Sequence, residues 1–408
     1  MPSPTDVVSV FLRNRGSILL LKRSENVGTY ADKWGAVAGH AEGNPKKLAR
    51  REIAEETGLD DLISLVRRGD SFTFEDDRIG QTWRVHPFLF DCETRDVETN
   101  EETTDFEWIS PTKILRRDTV PRLWTSYERI RPRVADVKED HSHGSTYCAA
   151  RALEVLRDEA ALVAAKDGTR NLQKLAKELR ESRPNMTVLK VRIDQVMEKA
   201  VRAIDIEERA HLILQENFET TSAATARAAE IIDGSVVTVS RSGTVSSALV
   251  ASASDVLIAE SRPGREGIDV AEKLAQAIDV TVTTDAALPG QLHECDYVLL
   301  GADAILRDGS VVNKVGSLSI AMSANRANVP VYVASTTAKV SPRTDMKTER
   351  GNQSMIYDGE GDLDVLNPLF ERVPPDLITS VISDRGRLNE NDVKSIAQEH
   401  ARRARWMR

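Results

Sequence analysis

Between residues 234 and 335 the chain repeats one rhythm: a short apolar run, a stretch with helical spacing, then another apolar run. The runs "SVVTVS", "DVLIAE", "DVTVTT", "DYVLLGAD" and "VPVYVAS" stand about 20 to 25 residues apart, the length of a strand plus a crossover helix. Strands apolar on both sides are covered on both faces, and their alternation with helices gives βαβ units and a parallel sheet. Ligands of such open α/β sheets bind outside the carboxyl ends of the strands. Polar residues stand at those ends: Ser240, Glu260, Asp285 and Asp303.

The rest of the chain has other rhythms. Residues 7–22 read as two strands turned at "NRG", and "RVHPFLFDC" as another, so the first part is strand-rich around one helix. From "VPRLWTSYERIRPRVADV" through "VLKVRIDQVMEKAVRAIDIEERAHLILQENF" apolar residues recur at three and four, which predicts a helical subdomain. A chain of 408 residues is too long for one ordinary core. The changes of pattern divide it at residues 1–130, 131–215 and 216–408, with the first seam near residues 118–140.

Composition narrows the function classes. A net charge of −9 argues against a protein that coats nucleic acid. Cys92, Cys148 and Cys295 are odd in number and lack CxxC spacing, so neither a disulfide framework nor a zinc site is expected, and a reducing, cytoplasmic setting fits best. The opening "MPSPTDVVSVFLRNRGSILLLKR" lacks a signal pattern, and no apolar run approaches the ~18 residues of a membrane span.

The stretch "GHAEGNPKKLARREIAEETGLDD" raises a chemical question. Asn44 and Pro45 suit the start of a helix and Gly58 its stop. On that helix Glu52, Glu55 and Glu56 share one face at i, i+3 and i+4. Spacing alone leaves two readings open: a solvated acidic face, or carboxylates gathered for a hard divalent cation.

The fuller string resembles the Nudix box. "RREIAEETGL" matches the Arg-Glu-apolar-x-Glu-Glu-x-Gly-apolar core, and "DKWGAVAGH" is similar to the family's lead-in. The resemblance implies an N-terminal α/β/α sandwich in which Glu52, Glu55 and Glu56 hold Mg²⁺ or Mn²⁺ and Arg51 orients them. The metal then neutralises a pyrophosphate and helps activate the attacking water. The loop after Gly39 is about one residue shorter than the family's, with Asn44 near the place of its first glutamate and Glu42 just before. Downstream, "NEETTDFEWISP" resembles the strand and loop that close a Nudix site. Glu101 or Glu102 there is either a base behind the metal or part of an acidic surface loop.

In the second half, "ESRPGREG" follows a strand and leads into a helix, so Arg262 and Arg265 suit a phosphate, or else surface ion pairs. Together with "GADAILRDGSVVNKVGSLSIAMSANRANVPVYV", "TTAKVSP" and "VPPDLITSVISDRG", it resembles one family. That family unites the alpha, beta and delta subunits of translation initiation factor 2B with methylthioribose-1-phosphate isomerase and ribose-1,5-bisphosphate isomerase. The likeness covers residues 135 to 390 approximately. It implies a helical part leading into a Rossmann-like domain, and a homodimer or higher homo-oligomer formed through that domain.

By the same resemblance Asp303 matches a catalytic aspartate, Asn313 and Lys314 the substrate-contacting pair, and Arg262 a phosphate-binding arginine, with Arg265 and Lys339 joining the substrate site. Ser240 stands where the isomerases have a cysteine, and His143-Gly144 where they have Arg-Gly. The expected function is a Mg²⁺-dependent hydrolase of a nucleoside diphosphate derivative, such as ADP-ribose, fused to a domain that binds a sugar phosphate or nucleoside monophosphate. An active pentose-phosphate isomerase and a non-enzymatic initiation factor 2B-like regulator are the alternatives. Serine in place of a thiol favours binding over isomerisation, because a hydroxyl is the poorer proton carrier.

Overall fold

A computed structural model describes residues 4–41, 43–60, 62–140, 143–166, 171–345, 347, 349–361 and 363–407. The chain separates into two compact units. One contains Met1–Val134, Glu154–Leu172 and Val201–Gln215; the other contains Ala135–Leu153, Gln173–Ala200 and Glu216–Arg408. The helices of the 131–215 segment are therefore shared between the two.

The first unit is built on strands β1 (Thr5–Asn14), β2 (Ser17–Arg23), β3 (Trp34–Gly35), β4 (Val37–His40), β5 (Ile63–Arg68), β6 (Phe72–Asp76), β7 (Gln81–Cys92) and β8 (Thr103–Ile109). The central order is β3-β2-β1-β7-β5, with β4 on β1, β6 on β7 and β8 on β2. β1 and β7 run parallel, and the other pairs are antiparallel. Period-2 alternation sorts the side chains. Val8, Val10, Leu12, Leu19 and Leu21 face helix α1 (Pro45–Thr57), which contributes Leu48, Ala49 and Ile53. Phe11, Ile18 and Leu20 face the other way, toward Leu123 and Tyr127 of helix α2 (Leu123–Glu128). The result is the expected α/β/α sandwich.

The stretch "VPRLWTSYERIRPRVADV", expected to be helical, holds only α2 and a short α3 (Val134–Lys138). Pro132 explains the break, since the residue before a proline is pushed out of helical geometry. Helices α4 (Ser145–Lys166), α5 (Leu172–Glu181), α6 (Thr187–Met197) and α7 (Ala203–Ala229) follow. Within the first unit Arg13, Glu154, Arg157 and Asp158 are buried together: Arg13 Nη1 is 3.2 Å from Glu154, Arg157 Nε is 2.9 Å from Asp158, and Tyr127 donates to Asp158 at 3.1 Å.

In the second unit the chain runs through β9 (Gly234–Thr238), α8 (Gly243–Ser252), β10 (Ala253–Ala259), α9 (Glu266–Leu274), β11 (Asp279–Thr283), β12 (Tyr297–Leu300), β13 (Ala304–Ile305), β14 (Val311–Lys314), α10 (Ser317–Ala327), β15 (Val331–Ala334), β16 (Phe370–Val373), β17 (Ser380–Ser383), β18 (Gly386–Leu388) and α11 (Glu390–Arg403). Its main sheet has the order β11-β10-β9-β12-β15-β17-β18, the Rossmann-like order with an antiparallel strand at one edge. Both faces are covered. Val237, Val298 and Leu300 pack with Ile320 and Ile396, while Val236, Leu299 and Ile258 pack with Leu249 and Leu274. Strands β13, β14 and β16 form a small antiparallel sheet that the apolar rhythm alone does not announce. Among the described residues no helix is long and apolar enough to cross a membrane.

Candidate functional site

Each unit holds a cavity lined in part by polar side chains. In the first, the caps of α1 fix its ends: Asn44 Oδ1 accepts the Lys46 N–H at 3.0 Å, and Gly58 closes the helix at φ 69°. With Ile53 in the core, Glu52 and Glu56 flank β4. The Gly39 backbone runs against the Glu52 carboxylate: a Cβ there would stand 2.2 Å from its carboxyl carbon. Glu56 is 8% exposed, and its Oε1 accepts the Ala38 N–H at 3.1 Å. Burial, reinforced by the neighbouring Glu52 charge, pushes the Glu56 carboxyl up to about 8, and burial also raises Glu52.

Glu55 is not part of this pair. Its side chain is 58% exposed and lies 3.6 Å from Arg51 Nε, while Arg51 Nη2 reaches Glu52 Oε1 at 3.1 Å. Asn44 caps the helix, and Glu42 lies outside the described residues. Of the two downstream acids, Glu102 lines the cleft and its charge acts on both Glu52 and Glu56. Glu101 gives its backbone carbonyl to Ser24 Oγ at 2.9 Å. Arg23, which the sequence reading passed over, lines the same cavity of about 1110 Å³. Among the described residues no group of three His, Cys, Asp or Glu side chains is arranged to hold a metal ion. Two adjacent desolvated carboxylates nevertheless fit the mode Mg²⁺ favours, in which one or two carboxylates share the ion with substrate phosphates.

In the second unit the residues singled out from the sequence fall into two groups. Ser240 takes a left-handed backbone at φ 64°, and its N–H donates to Ser261 Oγ at 2.7 Å. Its hydroxyl donates to Glu266 Oε1 at 3.2 Å, and Lys314 Nζ stands 2.6 Å from the same oxygen. Glu266 was missed, although it sits inside the quoted "ESRPGREG". An acid in the first turn of the helix after that loop was the available signal. The arginines of the loop point elsewhere: Arg265 is 3.5 Å from Glu260, and the exposed Arg262 reaches the Met355 carbonyl at 3.5 Å while its N–H donates to Asp285 at 2.7 Å.

The other group lines a cavity of about 460 Å³: Asp303, Asn313 and Lys339, joined by Ser145, Arg151 and Arg241. Lys339 is 6% exposed and donates to the Ala302 carbonyl at 2.6 Å. Burial lowers the Lys339 ammonium and raises the Asp303 carboxyl, and the attraction between the two charges resists both shifts. Asn313 Nδ2 donates to Ser317 Oγ at 2.8 Å. Ser145 Oγ is buried without a hydrogen bond of ordinary geometry, yet near enough to favour the Asp303 carboxylate. His143 also borders this cavity, stacked on Tyr147 with ring centroids 4.0 Å apart.

An acid-flanked Nudix-type sandwich and a Rossmann-like sheet with a cavity at its strand ends define a two-part α/β protein. Residues 3–130 match the NUDIX domain, and residues 141–390 match the Initiation factor 2 subunit family. The chain belongs to the Initiation factor 2 subunit family and carries a Nudix domain ahead of that region.

A ribose 1,5-bisphosphate isomerase of Haloferax volcanii is 30% identical over 155 residues, covering 36% of this chain and 48% of that protein. A methylthioribose-1-phosphate isomerase of Thermotoga neapolitana is 30% identical over 227 residues, covering 47% of this chain and 65% of the relative. The chain thus spans about half the length of the ribose 1,5-bisphosphate isomerases it matches. The crystal structure of the Pyrococcus horikoshii OT3 translation initiation factor eIF-2B shares the fold, with a TM-score of 0.55 at 24% identity over 62% of this chain and 94% of that one.

Proposed function

We propose that the N-terminal unit is a Mg²⁺- or Mn²⁺-dependent hydrolase of a nucleoside diphosphate derivative. The observation that carries this reading is the desolvated pair Glu52 and Glu56 at the edge of a cleft of about 1110 Å³, large enough for a whole nucleotide conjugate. When bound, a divalent ion supplies charge neutralisation at the pyrophosphate and a more acidic water. This chain's own groups do the rest. Arg51 fixes Glu52, the Ala38 N–H fixes Glu56, Arg23 offers a cation to phosphate oxygens, and Glu102 is placed to accept a proton from water.

The C-terminal unit binds a sugar phosphate or nucleoside monophosphate in the cavity of Asp303, Asn313 and Lys339, with Lys314, Arg262 and Arg265, which lie outside that lining, as further partners for a phosphate. Isomerisation of a pentose phosphate there is the second reading, favoured by the pairing of a buried lysine with Asp303 and by the kinship with sugar-phosphate isomerases. The engagement of Ser240 with Glu266 argues against that serine as proton carrier. A non-enzymatic regulatory role is the reading left if neither substrate class is turned over. Three free cysteines suit a cytoplasmic setting. Exposed Leu363 and Leu366, at 59% and 68%, suit a self-association surface on the C-terminal unit. Within this proposal the chain divides at 1–130, 131–215 and 216–408.

The test is a screen of purified protein with Mg²⁺ against ADP-ribose, nucleotide sugars and dinucleoside polyphosphates, with a ribose-1,5-bisphosphate isomerase assay beside it. Turnover of one nucleotide class, abolished by chelator, supports the hydrolase. Inactivity on all of them with intact fold removes it.

A further inference from the structure

Part of the first unit's cleft is lined by rings rather than by charges. Tyr30, His40, Phe74 and Trp83 all face this cavity. Phe74 and Trp83 are direct cross-strand partners on β6 and β7, so their side chains share one face of the sheet. The Trp83 ring lies 5.9 Å from the His40 ring and 6.4 Å from that of Tyr30.

Tyr30 is held there against its backbone preference. Its φ is +52°, a left-handed conformation that is an outlier for a bulky aromatic residue and persists only where surrounding contacts enforce it. The enforcing contacts are on its hydroxyl. Trp83 Nε1 donates to Tyr30 Oη at 3.0 Å, and Tyr30 Oη donates to Asp76 Oδ2 at 2.9 Å. Asp76 is itself buried and accepts the Arg78 N–H at 3.0 Å. The polar atoms of the wall are thus satisfied by one another, and what Tyr30 and His40 turn to the cavity is ring surface, with the largely buried Trp83 behind them. Strain fixed by such a relay is a poor way to fill a core and a good way to aim a ring at a ligand.

We propose that Tyr30, Trp83 and His40, braced by Asp76, form the seat for the substrate's nucleobase, with the phosphates extending toward Glu52. The proposal rests on the hydrolase reading and adds which residues of the cleft select the substrate. Aromatic faces accept a base by stacking, and an edge of mixed hydrogen-bonding groups is not required for that. Arg23, in the same cleft, offers a cation to the phosphates that follow.

The test separates base recognition from hydrolysis. Two substrates are compared: ADP-ribose, and methyl diphosphate, which has the phosphoanhydride and no base. AMP binding is measured by calorimetry in parallel, with all proteins in a Lys339→Met background so that the second unit's cavity does not contribute. Tyr30→Leu should lower the ratio of kcat/KM for ADP-ribose over methyl diphosphate by ~10-fold and weaken AMP binding by a similar factor, the size expected for losing one stacking partner. Tyr30→Phe, which keeps the ring, should fall less. Trp83 is 7% exposed, so its replacement also opens a cavity, and His40→Ala at an exposed position serves as the second variant. An unchanged ratio and unchanged AMP affinity in Tyr30→Leu and His40→Ala overturn the seat. If the wild type hydrolyses neither substrate, the hydrolase reading has failed, and AMP calorimetry alone decides the seat: binding lost in both variants sustains it, whereas no binding by the Lys339→Met parent ends it.

Discussion

Lys314 Nζ stands 2.6 Å from Glu266 Oε1, the same carboxylate oxygen that accepts the Ser240 hydroxyl at 3.2 Å. The lysine is therefore already committed to a partner, and a thiol introduced at position 240 would meet a carboxylate first. A neighbouring negative charge raises a thiol's pKa. In a Cys295→Ser background, Ser240→Cys alone should give a slowly alkylating thiol. Adding Glu266→Gln releases Lys314 toward the sulfur and should speed iodoacetamide labelling at pH 7 by ~10-fold, one pKa step. Equal labelling rates in the two variants would show that Glu266 does not govern this position.

The acidic helix permits a sharper comparison than its sequence suggested. Glu56→Gln should reduce hydrolysis by a factor of ~100 or more, the scale of losing a metal-organising carboxylate worth several kcal/mol. The fold should hold, because Gln Oε1 still accepts the Ala38 N–H. Glu55→Gln should cost less than ~5-fold, since a 58% exposed side chain paired with Arg51 has little to lose. Steady-state kinetics on both variants is the measurement, and equal losses would put Glu55 back beside the other two.

Periodicity and caps explain what was legible in advance. Asn44, Pro45 and Gly58 bound α1 as their chemistry requires, and the five apolar runs after Gly234 all became strands of one sheet. What sequence spacing did not resolve was direction. Positions i, i+3 and i+4 share a face only broadly: Glu52 and Glu56 lie against β4, while the Glu55 side chain is 58% exposed beside Arg51. Partnerships across long sequence separations were equally hidden: Tyr30 with Asp76, and Ser240 with Glu266, depend on loops whose left-handed residues carry no periodic signal. The small sheet of β13, β14 and β16 was missed because strands of two to four residues are too short to show alternation.

The cavity in the second unit ranks its residues for ligand binding. Ribose-1,5-bisphosphate at 100 times its Kd should raise the unfolding free energy of the unit by ~2.7 kcal/mol, read as a rise in Tm. Lys339→Met removes the buried cation whose charge acts most strongly on Asp303 and should abolish the rise. Arg262→Ala should only reduce it, because that guanidinium is exposed and turned to the Met355 carbonyl. The reverse order, with Arg262→Ala the more damaging, would show that the loop closes over the ligand.

His211 supplies the pH test for the first unit. Its pKa is lowered to about 4, by burial first and then by the cations Arg157, Lys113 and Arg95, with Glu154 opposing. Its Nδ1 is buried without a hydrogen-bond partner. The folded state therefore prefers the neutral ring, while the unfolded chain takes up a proton near the ordinary histidine value of ~6.5. The resulting stability is complete above that value and is lost as pH falls toward 4. His211→Gln removes the titration, so it should be relatively more stable than the wild type at pH 5 than at pH 8, by ~1 kcal/mol after allowing for partial exposure. Trp34, Trp83, Trp108 and Trp124 belong to this unit and Trp406 to the other, so urea unfolding is followed by tryptophan fluorescence in a Trp406→Phe background. A difference between variant and wild type that is the same at both pH values would mean that His211 titrates normally in the folded protein.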